Sequence, residues 1–252
     1  MHLCADLRIQ LLGSLHVTRA DGTSVPPDTW RTGKTMDLLR LLALNNGRPV
    51  RPTSLIQKLW PDALPERARG SLRTACSQIR RATGVNCVVR HPDGLVLTGA
   101  SVDAVELREA GRRSALAAAW SNHTQVVAIA RVTERLYFGD FHAHDDDSDW
   151  ARIEREQLRH VRLDLLRDAA ASAYTLHRYR EAMYFARTAV LVDPHSESAQ
   201  RLLMQAHAAV GEVGSALQVF ESYRAYLADE LGADPAPETQ ALHLQLLRGS
   251  TA

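Results

Sequence analysis

Residues 65–97 read PERARGSLRTACSQIRRATGVNCVVRHPDGLVL. Proline at the first position and Gly84 just past Thr83 bracket a helix over 65–83. Placed at about 100° per residue, Ala68, Leu72, Ala75, Cys76, Ile79 and Ala82 form one apolar stripe. The opposite face carries Gly70, Arg73, Thr74, Ser77 and Arg81, flanked by Arg69 and Arg80 on one side and by Arg67 and Gln78 on the other. Two short strands follow, CVVRH and LVLT, joined through Pro92-Asp93-Gly94. The stretch is therefore an arginine-faced helix leading into a hairpin.

Upstream, LRIQL alternates, with Leu7, Ile9 and Leu11 on one face, and LHV continues the strand pattern before the RADG turn at 19–22. Helical spacing then takes over in TMDLLRLLAL, which ends at Asn45-Asn46-Gly47. PTSLIQKLWP predicts a second helix with Thr53 or Ser54 as its cap and Pro61 as its stop. Sheet, three helices and hairpin together predict an α+β winged helix-turn-helix domain over residues 1–99. GASVD (99–103) reads as a linker. Downstream, residues 103–252 predict an all-α domain, with helices near 103–119, 121–136, 149–176, 180–192, 196–210, 214–231 and 238–248. Tyr179, Ala182, Met183 and Phe185 recur 34 residues later as Val213, Ala216, Leu217 and Val219, and the turn residue His177 recurs as Gly211. That period is the tetratricopeptide signature, a stack of helix pairs with a protein-binding surface.

Charge divides along the same line. Residues 1–99 hold 14 basic against 7 acidic side chains, a net of +7, and residues 100–252 hold 16 against 22, a net of −6. A basic first part points to nucleic acid. Arginine dominates the basic residues, Lys34 and Lys58 being the two lysines; this points to a GC-rich genome and suits recognition of phosphates and base edges. The expected DNA-binding set is Lys34, Arg67, Arg69, Arg73, Thr74, Ser77, Arg80, Arg81, Arg90 and His91. Two other classes stay open: a helical-repeat adaptor whose winged domain binds protein, and a regulator gated by a small molecule in the helical part.

RTGKTMDLLR (31–40) contains Gly33-Lys34-Thr35, the end of a phosphate-binding loop. A nucleotide loop also needs a glycine at position 28, which is Asp, and a buried strand before it, where this chain has SVPPDTW. The expectation is that Thr32 caps a helix, Gly33 is a tolerated first-turn residue, and Lys34 beside the helix N-terminus meets a DNA phosphate. HAHDDDSD (142–149) lacks the helical ligand spacing of a metal site and reads as an acidic solvated loop. No catalytic constellation stands out, so neither enzyme activity nor a cofactor is expected. Cys4, Cys76 and Cys87 form no C-x-x-C pair and read as reduced thiols. The start, MHLCADLRIQLLG, lacks the pattern of a signal peptide, no apolar run is long enough to span a membrane, and the cytoplasm is the expected compartment.

The chain resembles the Streptomyces antibiotic regulatory proteins. LRIQLLGSLHV, NNGRPVRPTSLIQKLWPD, SLRTACSQIRR and DGLVLTGASVDAVEL are similar to the family's winged helix, and DWARIEREQLRHVRLDLLRDAAASAY, HRYREAMYFARTAVLVDPHSESAQ and YLADELGADPAPE to its bacterial transcriptional activator domain. It departs from the family where Ala75 replaces a bulky aromatic and Leu95 replaces a tyrosine after Gly94. The resemblance is to the short form, without a nucleotidase domain. It implies an activator of clustered biosynthetic genes. It also implies binding to direct repeats in double-stranded DNA by two copies side by side, and recruitment of RNA polymerase through its sigma and alpha subunits.

Overall fold

The computed structural model describes residues 6–45 and 47–249; Cys4 and Asn46 lie outside the described residues. The chain divides into two compact units. One comprises residues up to 108 together with 135–158, and the other comprises 109–134 and 159 onward.

The first unit opens with β1 (Leu7–Gln10) and β2 (His16–Arg19), paired antiparallel with Leu7 opposite Arg19. Leu7 and Ile9 point into the core and Arg8 faces solvent, as the alternation requires. Three helices follow, α1 (Gly33–Leu44), α2 (Pro52–Leu59) and α3 (Pro65–Thr83), then the β3–β4 hairpin (Val88–His91 and Gly94–Leu97). Leu38, Leu39, Leu41 and Leu42 of α1 are all buried, each stabilising the fold by about 1.5–3 kcal/mol relative to exposure. Thr32 caps α1, its hydroxyl accepting from the Thr35 amide at 3.2 Å. The α2 cap differs from expectation. Pro52 already occupies the first turn, so the cap position falls on Arg51, with no side-chain bond, and Thr53 and Ser54 lie inside the helix.

GASVD is not a linker. Ala100–Val102 form β5, which pairs parallel with β1 to complete a sheet of order β2-β1-β5. The next residue, Asp103, begins α4 (Asp103–Ala119) and accepts from the amides of Leu11 at 2.8 Å and Leu12 at 3.0 Å. The stretch before α6 (Asp149–Thr175) packs into this unit too. Phe141 is buried, and Phe141 bridges Leu12 and Gly13. HAHDDDSD is therefore more than a solvated loop. The amides of His144 and Asp145 donate to the buried carboxylate of Asp37 in α1 at 2.8 and 3.4 Å, while Asp146 pairs with Arg155.

In the second unit the helices turn back on themselves at three matching corners. At Ser121, His177 and Gly211 the backbone is left-handed, with φ of 52°, 57° and 84°. Each corner makes the same two bonds. The turn residue's amide donates three residues back (2.9, 2.9 and 3.0 Å), and the next amide donates five back, from Asn122 to Ala117, Arg178 to Ala173 and Glu212 to His207. The corners join α4 to α5 (His123–Glu134), α6 to α7 (Tyr179–Val192), and α8 (Glu197–Ala209) to α9 (Val213–Leu231). The 34-residue repeat relates the second and third corners; the first is a further copy. One apolar cluster runs from α4 through α8, a second joins α8, α9 and α10 (Pro237–Leu247), and small residues such as Ala182, Ala186 and Ala216 sit at the helix crossings. Among the described residues no helix is long and apolar enough to cross a membrane.

Candidate nucleic-acid interface

The arginine-faced helix is held at its C-terminus and along its length. At its C-terminus Gly84 is left-handed, and Arg19 of β2 donates to the carbonyls of Ala82 at 2.8 Å and Thr83 at 3.0 Å. A cation on these last carbonyls also complements the helix dipole. Near its middle Gln78 accepts from the Thr35 hydroxyl of α1 at 2.6 Å. The inward stripe is buried at every expected position, from Ala68 to Ala82.

Arg67, Arg69, Arg73, Thr74, Ser77 and Arg81 are exposed on α3, and Arg90 and His91 are exposed on β3. Among the described residues Arg67, Arg69, Arg73, Arg81 and Arg90 have no ion pair or side-chain hydrogen bond within the chain. Arg69, Arg73 and Arg90 ring a groove of 660 Å³ between α3 and the hairpin, floored by Leu72, Cys76 and Leu95. Burial raises the pKa of the Cys76 thiol, and that of Cys87 in the same way, which disfavours the thiolate.

Two expected members of the set are otherwise occupied. Arg80 turns inward, its Nε and Nη2 both donating to the Val88 carbonyl at 2.8 and 2.5 Å, so it braces α3 against β3. Lys34 pairs with Asp145 at 3.2 Å. The anion that this lysine meets is a carboxylate of its own chain. Gly33 is likewise not merely tolerated: a Cβ there would lie 1.8 Å from the His144 ring, so the glycine admits the loop that carries Asp145. His91 is exposed, but its Nδ1 accepts from the Asp93 amide at 3.2 Å and so ties the hairpin turn.

Two further arginines, outside the expected set, stand beside the same hairpin. Val50 pairs with Leu95 through both backbone bonds (2.8 and 2.9 Å), which sets the segment RPVRP beside the hairpin with Arg48 and Arg51 exposed. Gly94 permits this approach, since a Cβ there would stand 2.2 Å from the Val50 carbonyl oxygen. The signal lay in the sequence as two arginines each followed by a proline, which biases them to an extended path.

The bacterial transcriptional activator domain matches residues 102–247. The chain belongs to this family, that of the Streptomyces antibiotic regulatory proteins. It is 29% identical over 243 residues to the regulatory protein AfsR of Streptomyces coelicolor, covering 92% of this chain and 24% of that protein. It is 25% identical over 228 residues to the transcriptional regulator RedD of the same organism, covering 86% of this chain and 65% of RedD. The solved structure of Mycobacterium tuberculosis EmbR in complex with a low affinity phosphopeptide superposes with a TM-score of 0.78 at 25% identity, over 98% of this chain and 66% of that one. The chain thus spans about a quarter of AfsR and about two thirds of EmbR.

Proposed function

We propose that the protein is a sequence-specific transcriptional activator of a biosynthetic gene cluster. In this reading residues 1–99 form a winged helix-turn-helix whose α3 enters the major groove, with the β3–β4 hairpin as the wing. Residues 103–252 hold two copies side by side on direct repeats and present them to the sigma and alpha subunits of RNA polymerase. The observation that carries this is the set of five exposed arginines on α3 and β3 that have no partner among the described residues, in a part of the chain with a net charge of +7. Arginines left free of carboxylates are available to phosphates and guanine edges. The base-facing set is accordingly Arg67, Arg69, Arg73, Thr74, Ser77, Arg81 and Arg90, joined by Arg48 and Arg51 for phosphates; Arg80, Lys34 and His91 are left out because of their internal partners.

Footprinting of the purified chain on the promoters beside its own gene tests the reading, run together with transcription in vitro. Protection of two direct repeats and increased transcript are expected. With about seven arginine contacts per copy, log affinity falls against log salt with a slope of about −6. A flat salt dependence, or protection without repeats, overturns the reading.

Gly70 sits inside α3 on the exposed side, and a Cβ there meets nothing within 4 Å, so no contact within the chain requires a glycine. Helical glycine costs about 0.5–1 kcal/mol relative to alanine. Gly70→Ala is expected to raise stability by that amount in a urea melt while weakening DNA binding in a gel shift. If affinity is unchanged, Gly70 does not face the groove. Lys34→Ala should alter DNA affinity by less than about 0.5 kcal/mol, the scale of an ordinary surface substitution; a larger loss in the same gel shift returns Lys34 to the interface.

A further inference from the structure

We infer that the second unit carries two unlike surfaces made for each other in neighbouring copies: a basic, apolar stripe on α7 and an acidic edge where α9 ends. Arg180, Tyr184, Arg187 and Leu191 follow one another at helical spacing and fall on a single line along α7. All four are exposed, Tyr184 by 55% and Leu191 by 76%, and neither arginine has an ion pair among the described residues. This stands out because residues 100–252 carry a net charge of −6, and because Arg131 and Arg162 of the same unit are paired with Glu181 and Glu134. Two large apolar side chains alternating with two free cations are an interface composition rather than a solvated face.

The complementary surface is the last turn of α9 and the loop after it. Asp229, Glu230 and Asp234 are exposed, with no basic partner among the described residues, around Leu231, itself 61% exposed. Cations meet carboxylates and apolar side chains meet one another when α7 of one copy lies against the α9 end of the next. Because the two surfaces differ, the contact can run head to tail, which is what direct repeats require and what DNA limits to two copies. The inference rests on the proposed reading that two copies bind side by side, and it names the surfaces that join them.

The test uses the full chain on DNA holding one or two copies of the footprinted repeat. Arg180→Glu/Arg187→Glu and Asp229→Arg/Glu230→Arg are each expected to lower affinity for the tandem site by about tenfold or more, equivalent to about 1.4 kcal/mol, with single-repeat affinity unchanged. Mixing the two variants should restore tandem binding, since one intact stripe then meets one intact edge; misfolded proteins cannot rescue each other. If the wild type binds two repeats cooperatively and the variants do so equally well, or if the mixture shows no rescue, these surfaces are not the contact and the activator reading stands. If the wild type itself binds the two repeats independently, the side-by-side reading fails and this inference with it.

Discussion

Asp37→Ala is expected to cost the first unit about 3–5 kcal/mol, the scale for breaking a buried ion pair. The carboxylate is fully buried and pairs with Arg40 at 3.1 Å, and Arg40 is itself nearly buried. Burial pulls the Arg40 guanidinium below its ordinary value, and Asp37, with a smaller contribution from Asp146, offsets this in part. The same carboxylate accepts from the amides of His144 and Asp145. Alanine therefore strands a buried cation and two backbone donors together, and it frees the loop that buries Phe141. A urea melt followed by tryptophan fluorescence reads the loss, with Trp30, Trp60 and Trp150 all in this unit. Replacing the pair together, as Asp37→Ala/Arg40→Met, should recover part of it because no buried charge remains. A loss below about 1 kcal/mol for Asp37→Ala would mean that water reaches the site and that the loop is not held through it.

The apolar stripe of α3 was legible residue by residue, because a long amphipathic helix bounded by proline and glycine states its own period. The helices of the second unit were legible for the same reason. What escaped depends on contacts far away in the chain. β5 is three residues long and becomes a strand only by pairing with β1, more than 90 positions earlier. The first corner of the helical unit hides because Ser121 takes the left-handed turn that Gly211 takes in the third, a conformation that costs a side chain about 1–3 kcal/mol and leaves no compositional mark. Its spacing to the next corner is also longer than 34 residues, since the Phe141 segment intervenes. On α3 itself, Arg73 and Arg80 are the same residue type, and the helical period separates them only as face and flank. Their difference is the Val88 carbonyl, which stands beside one and not the other. Lys34 is decided in the same way, by a carboxylate 111 residues further along.

Arg73 and Arg81 are where DNA affinity is expected to be lost most. They lie eight residues apart on the exposed face of α3, about 12 Å along the helix, and neither has an intrachain partner among the described residues. Each alanine substitution should cost about 1–3 kcal/mol of specific binding. At that separation the two effects add to within about 0.5 kcal/mol, so the double variant should lose about 2–6 kcal/mol, from some thirtyfold to more than ten-thousandfold. Fluorescence anisotropy across a salt series separates the roles. An arginine on phosphate is partly replaced by lysine, and its alanine variant lowers the salt slope by about one; an arginine bidentate to guanine is not replaced, and its loss relaxes base preference. Arg80→Ala is the internal contrast: it removes two bonds to Val88 and should lower stability first, with affinity following the fold. Should Arg73→Ala/Arg81→Ala keep full affinity with an unchanged melt, α3 is not the recognition helix, and the basic face of this unit serves another partner.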